Sequence, residues 1–219
     1  MITNRAISTV IGKVRSEMSH ESPPVVTMVA RMAKDSFRVL VATVLSLRTQ
    51  DKVTAAACDR LFARAVTPKQ LAMLSANEIE KLIYPVGFYR TKAKSLKAIA
   101  KKLLDEYNGT VPSDIDTLLT FPGVGRKTAN LVLSEGYNIP AMCVDTHVHR
   151  ISNRWGYVNT TTPEKTETAL RAILPKKHWL EYNYLLVAFG QHRCTPLRPR
   201  CSDCPVRQWC PRIGVTTSR

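Results

Sequence analysis

Two segments of this chain carry residues suited to covalent chemistry. The first, FPGVGRKTANLVL, places Lys127 two residues past Gly125, where a helix is predicted to begin. The second, AMCVDTHVHR, places Asp145 just ahead of a polar helical stretch. An amine with a carboxylate is the minimum set for Schiff-base chemistry at a sugar C1′. The plainer interpretations are a solvated lysine and an aspartate that caps a helix.

The Gly-Val-Gly turn predicts a helix-hairpin-helix. Residues 114–136 read as a helix, a tight turn and a second helix, with Ser113 as the expected cap of the first. Gly123 and Gly125 permit positive φ and let another backbone approach closely. The second helix begins with outward-pointing N–H groups and a positive dipole end, which favour a phosphate. The candidate contacts of this hairpin with a nucleic-acid backbone are Gly123, Val124, Gly125 and Arg126.

Four cysteines crowd into the C-terminal segment with the spacing C-x6-C-x2-C-x5-C: Cys194, Cys201, Cys204 and Cys210. The clustering indicates a metal centre, and the single C-x2-C favours an iron–sulfur cluster over structural zinc, with neither as a third possibility. We expect such a centre to staple a segment that is too short to bury its own core. Cys58 and Cys143 lie among apolar neighbours and are predicted to be buried small hydrophobic residues.

Basic residues lie inside this cysteine segment. Arg198 and Arg200 fall in the loop TPLRPR between the first two cysteines. They form either a rigid phosphate-binding loop, which explains their fixed backbone better, or part of a solvated basic tail.

The charge of the whole chain points to a polyanionic partner. The 219 residues include 32 Lys+Arg against 17 Asp+Glu, a formal net charge of +15. Neutralising phosphates supplies affinity that does not depend on sequence, so nucleic acid is the leading partner. No apolar run is long enough for a membrane span, and the N-terminus lacks the pattern of a secretory signal. We expect an intracellular protein, in the cytoplasm or nucleoid of a prokaryote.

The elements that must position these residues are predicted to be helices throughout. TPKQ and SANE, which begin at Thr67 and Ser75, are capping boxes, and Thr162 with Pro163 opens another helix. The apolar run FRVLVATVLSL (37–47) is compatible with a strand, but no partner strand is evident, so a buried central helix is predicted. One helix has an apolar face of Leu96, Ile99, Ala100, Leu103, Leu104 and Tyr107. The fold class is therefore all-α.

Together, FPGVGRKTAN, VDTH and the cysteine spacing resemble the endonuclease III family of DNA base-excision glycosylases, over residues 37–210. The resemblance implies a six-helix barrel domain with the helix-hairpin-helix at 29–140. It also implies a second helical domain, formed by 1–28 and 141–219, whose C-terminal loop carries a [4Fe–4S] cluster. The implied partner is double-stranded DNA with damaged bases or abasic sites, and the chain is expected to act as a monomer.

The resemblance also implies roles for single residues. Lys127 is the nucleophile and Asp145 the catalytic aspartate of a bifunctional glycosylase and AP lyase. This enzyme removes oxidised or damaged pyrimidines and then cuts the strand by β-elimination through a lysine Schiff base. His147, in VDTH, is a candidate DNA contact.

Two loops are the counterparts of those that refill the gap left by the flipped nucleotide: LSLRTQD (45–51) and VGFYRTKA (86–93). Their candidate DNA contacts are Arg48, Gln50 and Phe88. Arg48 stands where bacterial members usually have glutamine, and Phe88 is bulkier than the usual aliphatic wedge. The resemblance therefore implies the reaction type for this chain but not the preference for the base opposite the lesion.

Three rival functions compete with this interpretation. A mismatch glycosylase of the same fold lacks lyase activity, and Lys127 argues against it. A non-catalytic helix-hairpin-helix DNA-binding protein has no need of Lys127 together with Asp145. An electron-transfer protein accounts for a cluster but for neither the net charge nor the hairpin.

Overall fold

A computed structural model describes residues 1–219, and all of its regular elements are helical, which confirms the predicted all-α class. The chain forms two compact units, residues 25–139 and residues 1–24 with 140–219. The second of these contains α1 (Asn4–Glu17), α10 (Thr146–Arg154), α11 (Pro163–Ile173) and α12 (Trp179–His192). The unit 25–139 contains α2 (Val25–Ala33), α3 (Ser36–Ser46), α4 (Asp51–Phe62), α5 (Pro68–Met73), α6 (Ala76–Ile83), α7 (Tyr89–Tyr107), α8 (Ile115–Leu119) and α9 (Arg126–Leu131). No helix is long and apolar enough to cross a membrane.

The run FRVLVATVLSL folds as α3, the central helix of its unit. Helices α2, α4, α7 and α9 all contact it. Its side chains from Phe37 to Leu45 are buried except Arg38, because a helix that is apolar on every side is stable only when neighbours cover it all round. The alternative of a strand is excluded, since α3 is helical from Ser36 to Ser46.

The capping signals fix most of the predicted helix starts. The side-chain oxygens of Thr67 and Ser75 each accept a hydrogen bond from the backbone N–H three residues later. The side chain of that later residue accepts in return from the backbone N–H of the cap residue, so both capping boxes are present. Thr162 caps α11, and Pro163 occupies its first position. The predicted cap Ser113 is wrong. Asp114 caps α8 instead, because its carboxylate accepts the Thr117 N–H at 2.8 Å and the helix begins one residue later.

The long helix α7 buries one stripe against its unit, as predicted for Leu96, Ile99, Ala100 and Leu103. Leu104, which was predicted to lie on the same face, is exposed. A residue that the pattern did not place there, Lys92, is buried at the start of the stripe.

In the other unit, an apolar core joins α1, α10 and α12. Ile7 and Ile11 on α1 are fully buried in the same cluster as Trp155 and Phe189, whose ring centroids lie 6.4 Å apart. Beyond α12 the chain has no further helix. The segment 193–219 is instead fixed by turns and backbone hydrogen bonds.

Candidate functional site

The predicted hairpin is present as α8, a turn and α9. Phe121 and Val124 are buried, and the Val124 N–H donates to the Phe121 carbonyl at 3.1 Å, which closes the turn. Gly123 has φ +79°, a conformation that favours glycine, and an added Cβ would lie 3.3 Å from the Ser95 hydroxyl. The buried Val124 therefore anchors the turn, while its two glycines are exposed.

Gly125 differs from Gly123 in what surrounds it. It is extended (φ −97°, ψ 179°) and forms the N-cap of α9 without a side-chain bond. A Cβ added there would meet no protein atom within 4 Å. Because the chain itself does not require glycine at this position, the open space before α9 is available to a ligand. The first N–H groups of a helix have no intrahelical partner, so such a ligand is best an acceptor.

Arg126 and Lys127 are the first two residues of α9, and both are exposed. The helix is continued by a π-helical turn, Val132–Gly136, which is buried at Val132 and Leu133. The hairpin thus exposes Lys127 on a short helix whose following residues are buried in the unit.

Asp145 is the N-cap of α10, as the plainer interpretation predicted. Its Oδ1 accepts the N–H groups of His147 and Val148, both at 2.9 Å. The carboxylate is half-buried, and Oδ2 takes no part in the cap. A cap of this kind fixes the side chain rigidly and leaves one oxygen for another role, so capping and catalysis are compatible.

His147 is held close to α12. Its Nδ1 lies 3.1 Å from the Arg150 guanidinium, which also donates to the Cys194 carbonyl at 2.9 Å. Gly190 makes this packing possible, because a Cβ there would lie 2.4 Å from the His147 ring. Burial lowers the pKa of Arg150, although it remains a cation at any working pH.

The two predicted loops meet in the unit 25–139. Arg48 and Phe88 are exposed at their tips, and the Arg48 guanidinium carbon lies 5.6 Å from the centroid of the Phe88 ring. Both residues have positive φ, +51° and +58°. Gln50 is exposed as the N-cap of α4.

All four C-terminal cysteines line one cavity, together with Trp155, Phe189 and Val206. Burial raises the pKa of the Cys204 thiol to about 11, and the proximity of Cys194, Cys210 and Cys201 adds to the effect. No three ligand side chains lie close enough together to hold a single metal ion.

The predicted burial of Cys58 and Cys143 is confirmed. Burial raises the pKa of the Cys58 thiol to about 12, which makes it unreactive.

Arg154, which was not singled out in the sequence, organises the cysteine segment. It is buried at the end of α10 and donates to the carbonyls of Thr195 at 2.7 Å and Pro196 at 2.5 Å. The same guanidinium lies 3.4 Å from the Cys194 sulfur. Its own carbonyl accepts the Ile213 N–H at 3.1 Å, so one residue ties both ends of the segment. Its position three residues after buried Ile151 is the only sequence signal for this role.

Arg198 and Arg200 are exposed in the loop between Cys194 and Cys201. Arg193, by contrast, pairs with Glu17 and with Asp203, the latter at 2.7 Å. The guanidinium groups available for a partner in this loop are therefore those of Arg198 and Arg200.

The predicted site residues are divided between the two units. The hairpin with Lys127 and the loops with Arg48, Gln50 and Phe88 belong to residues 25–139. Asp145, His147, the four cysteines and the two loop arginines belong to the other. Lys127 therefore belongs to one unit and Asp145 to the other.

Comparison with known proteins identifies the class to which this arrangement belongs. A model of the HhH-GPD superfamily base excision DNA repair proteins matches residues 41–176. Endonuclease III of Thermotoga maritima is 47% identical over 176 residues, which cover 80% of this chain and 83% of that one. The chain belongs to the HhH-GPD superfamily of base excision DNA repair proteins and, within it, to the endonuclease III family.

Two further relatives extend the likeness. Endonuclease III homolog 2, chloroplastic, of Arabidopsis thaliana is 46% identical over 184 residues, or 80% of this chain. Those residues cover 48% of the plant protein, so the chain spans about half its length. A solved structure of a trapped endonuclease III–DNA covalent intermediate, an estranged-adenine complex, is similar with a TM-score of 0.85. It is 32% identical, and 97% of each chain is covered.

Proposed function

We propose that this chain removes oxidised or damaged pyrimidines from duplex DNA and then cleaves the strand at the resulting abasic site. The observation that carries the proposal is the exposure of Lys127 on the second helix of the hairpin, in a chain of the endonuclease III family. A purely phosphate-binding hairpin has no need of a lysine amine there. A bifunctional glycosylase and lyase requires one.

The Lys127 amine attacks C1′ of the damaged nucleotide. The C1′–N bond to the base breaks, and the base leaves with the bonding electrons and takes up a proton. The sugar ring opens to an imine between C1′ and Nζ. Loss of a C2′ proton then expels the 3′ phosphate by breaking the C3′–O bond, which cuts the strand. Water releases the lysine by hydrolysis of the imine.

Asp145 is the proposed partner of the amine. Its carboxylate stabilises the positive charge that develops on the sugar and assists proton transfer. The two cap bonds to Oδ1, at 2.9 Å each, hold the group in one orientation, and Oδ2 lies outside the cap. Such preorganisation supports catalysis, because the carboxylate does not have to reorganise as charge develops.

Phosphate contacts are assigned to the hairpin and to the cysteine loop. The exposed backbone at Gly123 and Gly125, with Arg126, suits a phosphate before α9. Arg198 and Arg200 supply two further cations, and a formal net charge of +15 supports association with DNA. A genomic DNA substrate puts the protein in the nucleoid if its source is a prokaryote.

Damage recognition requires the nucleotide to leave the stack, and we assign the filling of the gap to the loops with Arg48, Gln50 and Phe88. Flipping costs a few kcal/mol and is easiest for a poorly stacked base. An exposed aromatic ring offers a stacking surface that replaces the lost base. The guanidinium of Arg48 beside that ring supplies hydrogen-bond donors for the orphaned base.

A [4Fe–4S] cluster on Cys194, Cys201, Cys204 and Cys210 is the proposed cofactor. Four thiols around one cavity fit this group, and Arg154 beside the Cys194 sulfur favours the negative charge of the assembly. The spacing C-x6-C-x2-C-x5-C, with a single C-x2-C, favours this cluster over a structural zinc ion. When bound, the cluster supplies cross-linking of the segment rather than a step in the reaction.

Borohydride trapping tests the proposal, because it reduces the imine to a stable amine and leaves the enzyme attached to DNA. The duplexes would carry thymine glycol, an abasic site or no damage. We expect adducts on the first two duplexes only, and none with Lys127→Ala. Lys69→Ala is the matched control, since Lys69 is also an exposed second residue of a helix, α5.

Each pattern of adducts has a defined meaning. An adduct on the abasic duplex alone leaves the lyase in place and rejects thymine glycol as substrate. Strand scission by pure Lys127→Ala rejects the assignment of the nucleophile. Tight binding with no adduct on any duplex reduces the chain to a DNA-binding protein.

A further inference from the structure

Lys92 is a buried lysine whose hydrogen bonds all run to the loop that carries Arg48. The residue lies in the first turn of α7 and is 7% exposed. Nζ donates to the carbonyls of Leu45 at 2.9 Å and Leu47 at 2.5 Å, and to the Thr49 hydroxyl at 3.2 Å. An ammonium has three donors, and these three acceptors use all of them.

The Thr49 hydroxyl connects this lysine to the second loop. It accepts from Lys92 and from the Gly87 N–H at 3.1 Å, and it donates to the Leu47 carbonyl at 3.2 Å. One donor and two acceptor sites are all that a hydroxyl possesses. At the same point the loops touch, since a Cβ on Gly87 would lie 2.6 Å from the Arg48 carbonyl oxygen.

Arg48 and Phe88 flank this junction directly. Arg48 precedes Thr49 and Phe88 follows Gly87, so the network around Lys92 fixes the backbone of both tips. Both tip residues adopt left-handed backbone conformations that side chains disfavour. Such conformations persist only where the surroundings determine them.

We propose that Lys92 is a positioning residue that locks the two loops together and so presents Arg48 and Phe88 as one preformed wedge. The inference rests on the proposed function of those loops. Lys92 itself touches no substrate in this role, because its amine is buried and fully bonded within the protein.

The chemistry of the junction requires a lysine. The acceptors include Leu45 and Leu47 carbonyls at the C-terminal end of α3, where the helix dipole favours a cation. Methionine fills the space but donates nothing, and a planar guanidinium does not match three acceptors grouped around one atom. Burial lowers the pKa of Lys92 to about 8, so the ammonium predominates at neutral pH.

The test compares Lys92→Met with Lys97→Met. Lys97 lies on the same helix and donates to the Leu74 carbonyl at 2.8 Å, so its substitution also removes a lysine–carbonyl bond, but away from both loops. Two rates would be measured for each variant: base removal from a thymine glycol duplex, and strand cleavage at an abasic site in single-stranded DNA. Only the first requires a nucleotide to be flipped and a gap filled.

We expect Lys92→Met to slow the duplex reaction by 10-fold or more and the single-strand reaction by less than 2-fold, with Lys97→Met near wild type in both. Equal rates for Lys92→Met and wild type on the duplex would overturn the positioning role. A parallel loss of both reactions would also overturn it and leave a merely structural lysine. An inactive wild-type protein would instead reject the proposed function.

A second variant covers the case in which Lys92→Met does not fold. Thr49→Val keeps the shape of the side chain but removes the hydroxyl that joins Lys92 to Gly87. We expect the same selective loss, smaller in size, on the duplex alone. Unchanged duplex activity in Thr49→Val would contradict the proposed linkage of the loops.

Discussion

The guanidinium of Arg48 lies over the ring of Phe88, 5.6 Å from its centroid, although the two residues are 40 positions apart in the sequence. Both are exposed, and both have positive φ. A non-glycine residue in this conformation costs about 1–3 kcal/mol, and an exposed cation–π contact returns only about 0.5–1 kcal/mol. The pair is therefore held in place by its surroundings and not by its own contact alone.

Removing the ring of Phe88 is expected to slow base removal from duplex DNA. Stacking of one base on an aromatic side chain contributes about 1–3 kcal/mol, which corresponds to roughly 5- to 150-fold in rate or affinity. Single-turnover excision of thymine glycol by Phe88→Ala measures the effect. Met73→Ala is the control, because Met73 is another exposed hydrophobic residue of the same unit. Equal losses in both variants would reject a specific role for the ring.

Arg48 is expected to set the preference for the base opposite the lesion. A bidentate contact to guanine is worth about 1–3 kcal/mol of discrimination. Arg48→Gln removes the guanidinium but keeps a side chain that can form hydrogen bonds, so the variant should lose preference for guanine over adenine. The ratio of excision rates opposite the two bases measures this, and an unchanged ratio would mean that Arg48 contacts phosphate or nothing.

Gly125→Ala tests whether Gly125 is needed for DNA binding and not for the fold of the hairpin. Alanine adopts the extended backbone of Gly125, and its Cβ meets no protein atom within 4 Å. We expect the free energy of unfolding to change by less than about 1 kcal/mol. The methyl group occupies the space assigned to a phosphate, so DNA affinity should fall by roughly 10-fold, the loss of about one charge-assisted bond.

Gly12→Ala is the control for this substitution. Gly12 lies within α1 and a Cβ there also meets nothing within 4 Å, so DNA affinity should stay at the wild-type value. Titration of a labelled duplex at fixed salt would compare the variants. Wild-type affinity in Gly125→Ala would show that no phosphate sits before α9.

Much of the fold was predictable because its signals are local. The capping boxes at Thr67 and Ser75 need only four residues each, and the apolar run of α3 indicates burial on every side. The prediction that Ser113 caps the helix was wrong because Asp114, the next residue, is the cap. The prediction that Leu104 lies on the apolar face was wrong because the buried stripe of α7 is narrower near the C-terminal end of the helix than the pattern suggested.

The site was less predictable, since its key contacts join distant segments. The pairing of Arg48 with Phe88 depends on two turns whose approach no periodicity reveals. A usable signal for Lys92 did exist, because it lies four residues before buried Leu96 and so falls on the apolar face of α7. Two of its three acceptors are backbone carbonyls, which every residue possesses, so the sequence could not identify them.

Loss of one cysteine is expected to release the C-terminal segment. Cys204→Ser removes one of four thiols around the cavity, and no helix follows α12 to hold the chain there. We expect loss of iron, sulfide and visible absorption. The free energy of unfolding should fall by about 2 kcal/mol or more, or roughly 5 °C in Tm. Cys58→Ala is the control, as it removes a buried thiol outside the segment and should retain iron. An iron-free wild-type protein with bound zinc would reject the cluster.

Glu181 is expected to make stability depend on pH in the acid range. Its carboxylate binds the Arg15 guanidinium at 2.7 Å and the His178 ring at 2.8 Å, and His178 in turn contacts the Ser8 hydroxyl at 2.9 Å. Burial opposes ionisation, but the bonds from Arg15 and His178 outweigh it and lower the pKa of Glu181 below its ordinary value. A lowered carboxyl pKa stabilises the fold above the unfolded pKa, and this contribution is lost as pH falls through the folded pKa.

Glu181→Gln should therefore be less stable than wild type at pH 7, by roughly 1 kcal/mol, since Arg15 is half exposed and the pair is partly screened. The difference should shrink as the pH falls below about 4.5. Urea unfolding of both proteins across this range measures it, with Glu80→Gln, on α6 and outside the network, as the control. A difference that stays constant down to acidic pH would mean that the glutamine disturbs packing rather than charge.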